Sequence, residues 1–385
     1  MIIVSTALPA WAGDVIDPGF GDGGVVLADL EVDDEAGVVL VDEVGRILVA
    51  GEANSYGVLF RYLPDGTPDA SFGIDGVTTI VAGGIADMAL DAMGRVVVVG
   101  SSGASAFVAR IEVSGTLDPT FGVAGVAQIT FGRAWAAGGG VALQDDGGIV
   151  IAGSAERDFA VARLQQSGDL DLTFSDDGHL IEDLSSLGSF ASSVAIDVTG
   201  NIVVGGNNGG PPVPVVFRYD KSGNPDTSFE IDERVATSVG YAFWLADLDI
   251  QADGELTLSG WAQGIKYFNN RWSLVRLSAD GSLDTDFGSS GLVQMGGSAG
   301  RHHVAPDGRI LLAVTSRYFD YEHPASTTQG AIVQLAADGT YEGAASLPAG
   351  TLNDHYLDVV PTADGDAIGV GHVFSHSTGK DFLVV

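Results

Sequence analysis

Six of the seven histidines fall after residue 300: His302, His303, His323, His355, His372 and His376. An imidazole changes charge near neutral pH and ligates metals when neutral, so such clustering suggests a metal site or a proton-transferring pair. His302, His323, His355, His372 and His376 are the candidate ligands, with Asp320, Glu322 and Asp354 close enough in sequence to add oxygen donors. A divalent metal is the one cofactor this pattern admits. In a catalytic reading, His302, His355 and His372 would serve a metal-dependent lyase or hydrolase, the cation holding an anionic substrate while one histidine moves a proton. Their spacing follows no established metal motif, and scattered surface histidines explain the pattern as well.

A second constellation mixes aromatic rings with cations. Trp135, Tyr241, Trp244, Trp261, Lys266, Tyr267, Arg271, Arg317, Tyr318 and Tyr356 lie in or beside segments of uneven length, all but Trp135 in the second half of the chain. Rings that stack and cations that clamp suit a glycan, a peptide or a small anion. Long loops folding onto a rigid scaffold would use the same residues. Weaker signals carry little. Gly296-Gly297-Ser298-Ala299-Gly300 matches G-x-S-x-G but has no strand-to-helix elbow around it. The Asp-rich stretches 169–177 and 247–253 lack the spacing of a calcium loop and read as turns.

Composition narrows the partners. The formal charge is −34, and only three lysines are present, Lys221, Lys266 and Lys380. A nucleic-acid binder needs a basic face that this chain lacks. There are no cysteines, so disulfides and thiolate chemistry are excluded. No apolar run reaches the roughly 18 residues of a membrane span. The segment 1–12, MIIVSTALPAWA, reads as the remnant of an export signal ending in Ala10-Trp11-Ala12. Residues 13–385 then form a single domain, exported to the periplasm, the cell surface or the medium, and monomeric.

The elements that must position these side chains come from a repeat. Ile16-Asp17-Pro18-Gly19-Phe20-Gly21 returns as Pro68-Asp69-Ala70-Ser71-Phe72-Gly73 and Leu117-Asp118-Pro119-Thr120-Phe121-Gly122. It returns again around Phe174, Phe229 and Phe287, at intervals of roughly 50 to 58 residues, a period of stacked supersecondary units. Between the phrases, short β-branched runs bounded by Gly and Asp predict four strands joined by hairpins. The second run, as in Val96-Val97-Val98-Val99, is apolar on both faces and must lie between two layers. Seven such runs occur, so the expected fold is all-β, a seven-bladed β-propeller of four-stranded blades. Gly24-Val25-Val26-Leu27 is left over at the start, while the seventh unit ends on its third strand, 381–385. The N-terminal strand is therefore expected to complete the last blade, removing two exposed sheet edges.

These residues resemble the bacterial delta-60 repeat, through L-D-x-x-F-G-x-x-G and D-G-x-I-x-V-x-G, and their strand order is similar to NHL-type propellers. The resemblance runs from Asp17 to nearly the end and departs in the sixth unit, where Gly339-Thr340-Tyr341-Glu342-Gly343 replaces the phrase. It implies a propeller, often in exported or surface proteins, and no defined chemistry.

One pairing repeats with the phrase. Arg61, Arg110, Arg163, Arg218 and Arg276 precede Asp69, Asp118, Asp171, Asp226 and Asp284, and the sixth unit has Gln334 in place of the arginine. A guanidinium fork held by a carboxylate in each blade is expected, with the repeated Phe plugging the gap between blades. Two functions remain: a binding module whose ligand sits on the loop face of units five to seven, and a metal-dependent propeller enzyme. A structural surface repeat is the third reading.

Overall fold

The computed structural model describes residues 16–28, 34–134, 136–184, 187–229, 231, 235, 242–263, 270–318, 327–346, 354–375 and 379–385. They form seven antiparallel sheets ranged in a ring. Blade one is built from Asp34–Val41, Ile47–Ala53, Tyr56–Tyr62 and Val77–Ala82, paired in chain order from the inside outwards. Five more blades repeat that order, with inner strands Ile85–Leu90, Ala136–Leu143, Phe190–Ile196, Ala242–Ile250 and Ser298–Val304. Blade four shows three strands among the described residues; the segment that would supply its fourth lies largely outside them.

Blade seven begins with Asp354–Pro361 and closes as the leftover N-terminal strand implied. Val26–Ala28 pairs antiparallel with the last strand, Val26 against Val384 and Ala28 against Phe382. The two ends of the chain thus share one sheet.

Alternation along the second strands explains why they are apolar throughout. Ile47 and Val49 face blade seven, while Leu48 and Ala50 face blade two. Val97 and Val99 face blade three, and Val96 and Val98 face blade one. Every gap between neighbouring blades holds its own apolar cluster, seven in all. Phe20, Phe72, Phe121, Phe174, Phe229 and Phe287 are all buried within six of these clusters. At about 1.5–3 kcal/mol for each fully buried large side chain, these gaps supply the ring's main cohesion.

The repeated arginine is a staple between blades. Arg61 Nε donates to Asp69 Oδ2 at 2.8 Å, and Arg110, Arg218 and Arg276 reach Asp118, Asp226 and Asp284 at 2.6–2.8 Å. Nη1 of the same four arginines donates to Val113, Gln166, Ala279 and Ala337 carbonyls of the next blade, at 2.5–2.7 Å. Each of these guanidinium groups also lies over the plug phenylalanine, 4.4–4.7 Å from its centroid. Arg163 pairs with Asp171 and turns its other nitrogens to Gln144 and Asp146. In blade six the arginine and aspartate are both gone, but the geometry survives. Gln334 Nε2 donates to Glu342 Oε2 at 2.7 Å, across the same eight-residue step.

Candidate functional site

Every inner strand carries a β-bulge at the same level. The register slips between Ala36 and Val38, Ile85 and Asp87, Gly138 and Gly140, and Ala191 and Ser193. It slips again between Leu245 and Asp247, Ala299 and His302, and Tyr356 and Asp358. A bulge leaves one residue unpaired and re-aims its neighbours. Here seven of them surround the axis. In blade six Gly300 and Arg301 together stand opposite the single residue Ala313, so Arg301 lies in the bulge itself.

Arg301 uses that freedom to cross the ring. Its Nη1 donates to Asp87 Oδ1 at 2.8 Å and its Nη2 to the Ala86 carbonyl at 2.7 Å, both on the inner strand of blade two. The surrounding carboxylates bind backbone in adjoining blades. Asp87 Oδ2 accepts from Val141 N, and Asp358 Oδ2 accepts from Val39 N at 2.9 Å. Asp247 accepts from Ser193 Oγ at 3.1 Å. Burial pushes Asp358 up to about 7 despite the nearby guanidinium, and it pushes Asp87 up as well. Arg301 stays charged, because the fields of Asp87, Asp247 and Asp358 outweigh its own loss of water.

Above Arg301 lies a hollow of about 370 Å³, on the face where inner strands begin and second strands end. Ala137, Gly138 and Gly139 line it from blade three and Phe190 and Ser192 from blade four, with Ala246 and Arg301 completing it from blades five and six. This is the face expected to carry function. The sector differs: the hollow lies over blades three to five, whereas the loops of blades five to seven had drawn attention. Blade three lies closely against blade four here: a Cβ on Gly139 would come within 2.7 Å of the Ala191 carbonyl.

The sequence candidates separate into several places. His302 is buried between blades six and five, with Nδ1 and Nε2 at 2.9 and 2.8 Å from the Ser259 and Thr257 hydroxyls, and burial lowers its pKa. His355 and His372, opposite each other on neighbouring strands of blade seven, stack with centroids 4.8 Å apart. His372 Nδ1 lies 3.5 Å from Glu35 of blade one, whose other oxygen accepts from Lys380 Nζ at 2.7 Å. These partners hold the Glu35 carboxyl down at about 2. His302 thus faces blade five while His372 faces blade one, in separate gaps. His323 and His376 lie outside the described residues, and among the described residues no three His, Asp or Glu side chains are placed to hold a metal.

Of the aromatic and cationic candidates, Trp244 and Trp261 are opposed in register and half-buried, with rings 4.1 Å apart. Trp272, which the sequence reading passed over, completes their row and is fully buried toward blade six. Arg271 Nη1 donates weakly to Gln294 at 3.4 Å. Tyr356 is a core residue rather than a surface one: it fills the gap between blades six and seven, where Gly330 makes room for its ring. Arg317 and Tyr318 end the second strand of blade six. Trp135, Tyr241, Lys266 and Tyr267 lie outside the described residues. Arg301, Asp87 and Phe190 had no signal in the sequence, since none belongs to the repeat phrase.

Five segments, 45–72, 94–121, 144–174, 199–229 and 251–287, match the family model described as a domain of unknown function (DUF5122) beta-propeller. Each match runs from the turn before or at the second strand to the plug phenylalanine. The ring is a repeat-built β-propeller. No curated protein matches the propeller in sequence. Among solved structures it is similar to virginiamycin B lyase from Staphylococcus aureus, at 11% identity and a TM-score of 0.53, over 94% of this chain and 99% of that one. It is likewise similar to a PL25 ulvan lyase described as bound to -[GlcA(1-4)Rha3S]-, at 11% identity and a TM-score of 0.52, covering 93% and 95%. At that identity the likeness extends to the fold alone. No helix among the described residues is long and apolar enough to cross a membrane.

Proposed function

We propose that the propeller is an exported binding module whose ligand seats in the axial hollow floored by Arg301. One observation carries this reading: the hollow is concave, opens on the loop face and presents a charged side chain that keeps 21% of its surface exposed. Its size falls in the range of small-ligand sites. Trp244 and Trp261, on the first two strands of blade five, would extend the contact to a glycan, a peptide or a small anion. The apolar run 1–12 supports export, and ring closure by Val26–Ala28, which completes blade seven from within the same chain, supports a monomer. A thermal-shift screen of oligosaccharides, peptides and small anions against the wild type and Ala246→Phe tests the reading. A hit whose shift disappears when the hollow is filled supports it; a shift that survives in Ala246→Phe puts the ligand elsewhere.

A second reading, a lyase, draws on the stacked His355 and His372 beside Glu35 and Lys380. The lyase activity of two fold relatives lends it interest. The half-buried His355 would take the proton next to a carbonyl, the pair of C–H electrons would form the new C=C, and the leaving oxygen would depart with a proton from a neighbouring acid. Incubation with uronate-containing polysaccharides, followed by absorbance of the new double bond, tests it; a rate unchanged in His355→Ala removes this reading.

A further inference from the structure

The axial hollow has an electrostatic character that narrows its ligand. Arg301 brings one positive charge to the floor, matched at 2.8 Å by Asp87. Asp247 and Asp358 also lie within its field. With three carboxylates around one guanidinium, the floor is neutral at best and negative at worst. The protein around it carries a formal charge of −34. An anion entering the hollow would meet like charge in a site of reduced dielectric, where repulsion is stronger than in water. A cation would meet the guanidinium first.

Neutral polar groups face no such penalty. Of the five N–H groups of a guanidinium, Arg301 commits two, to Asp87 and to the Ala86 carbonyl. The remaining three make no hydrogen bond to described residues and can donate to hydroxyl or ring oxygens. Ser192 Oγ donates to the Leu245 carbonyl at 3.2 Å, which leaves its lone pairs free to accept. Ser154 adds a second hydroxyl at the wall. Phe190 lines the hollow and is 40% exposed, and among the described residues no aromatic ring pairs with it. A polar floor, bare glycine backbone and one aromatic platform are the parts that recognise a sugar ring, whose C–H face packs on the aromatic while its hydroxyls meet the donors.

Arg301 also spans the ring at the level of the bulges, from blade six to blade two, beside the hollow that it lines.

We infer that the hollow takes an uncharged sugar unit of an oligosaccharide, its ring on Phe190 and its hydroxyls on Arg301. The inference rests on the binding-module reading and specifies its ligand. The test uses an array of neutral oligosaccharides beside uronate-containing and sulfated ones, followed by calorimetric titration of the hits. Wild type, Phe190→Ala, Ala246→Phe and Ser154→Tyr are compared after their folds are checked by circular dichroism. Neutral hits whose affinity falls about tenfold or more in Phe190→Ala and in at least one filling variant support the inference; tenfold corresponds to about 1.4 kcal/mol. Hits confined to anionic chains, yet lost in the same variants, overturn it while leaving the hollow as the binding site. Hits indifferent to all three variants, or none at all, overturn the hollow itself.

Discussion

Arg301 and Asp87, 214 positions apart in sequence, meet at 2.8 Å across the axis, joining blade six to blade two. Removing the guanidinium leaves Asp87, Asp247 and Asp358 facing a site without a counter-charge. Breaking a largely buried pair from one side costs about 3–5 kcal/mol. Arg301→Met is therefore expected to lower the stability by about 3 kcal/mol at pH 8, read from the midpoint of urea unfolding. The double change Arg301→Met with Asp87→Asn should recover at least half of that loss. A single variant as stable as the wild type at pH 8 would show that the pair contributes nothing.

The stability of the ring should peak in mild acid. Asp358, raised to about 7 in the fold, keeps its proton after an unfolded aspartate has released it at about 3.9. Between those values the folded state binds more protons, so stability falls as pH rises from about 4 to about 7. Asp118 and Asp226 act in the opposite sense. Hydrogen bonds from Thr120 and Ser228 and their arginine partners hold them at about 2, so their contribution is present above pH 4 and lost toward pH 2. Asp358→Asn is expected to flatten the descending limb and leave the acid limb in place. Melting temperature measured at intervals from pH 2 to pH 8 reads both limbs.

Two glycines with nearly the same backbone should differ in cost. Gly115 has φ +85°, and a Cβ there would lie 2.3 Å from Gly73 N, in the packed contact between blades one and two. Gly200 has φ +87°, and a Cβ there would meet nothing within 4 Å. Gly200→Ala pays only for the left-handed conformation, about 1–2 kcal/mol. Gly115→Ala adds displacement of backbone and is expected to cost at least about 2 kcal/mol more, seen as a lower denaturation midpoint.

The arginine staple should tolerate no lysine. Arg110 is almost wholly buried, bonding Asp118 at 2.8 Å with one nitrogen and the Gln166 carbonyl at 2.6 Å with another, over the Phe121 ring. A lysine presents one point charge and cannot make both contacts while stacking. Arg110→Lys is expected to lose about 2 kcal/mol, a typical cost for a charge-assisted bond left unmade. The Gln334–Glu342 pair of blade six, which has no guanidinium, offers the comparison: Gln334→Ala should cost about 1 kcal/mol.

What repeats was readable, and what occurs once was not. The apolar second strands, the plug phenylalanines, the Arg–Asp staples and the closing strand each recur or complete a recurring unit, so one copy explains the others. The exception in blade six was half seen: the loss of the arginine was visible, but Glu342 stands eight residues after Gln334, the same step as the Arg–Asp pairs, and the altered residue types hid it. Arg301 offered no such pattern. Its partner lies on the opposite side of the ring, and its reach depends on the bulge that breaks the register between Ala299 and His302. The histidines that cluster in sequence separate in the fold for a related reason. Sequence proximity to strand entries does not say which of two gaps a side chain faces, and alternation sends His302 to blade five and His372 to blade one.

The most direct measurement is a crystal structure of the propeller with the best neutral oligosaccharide from the array. Density for a sugar ring against Phe190, with a hydroxyl within about 3.2 Å of an Arg301 nitrogen, is the expected result. Density for the sugar on the loops of blades five to seven, with the hollow holding only water, would contradict it.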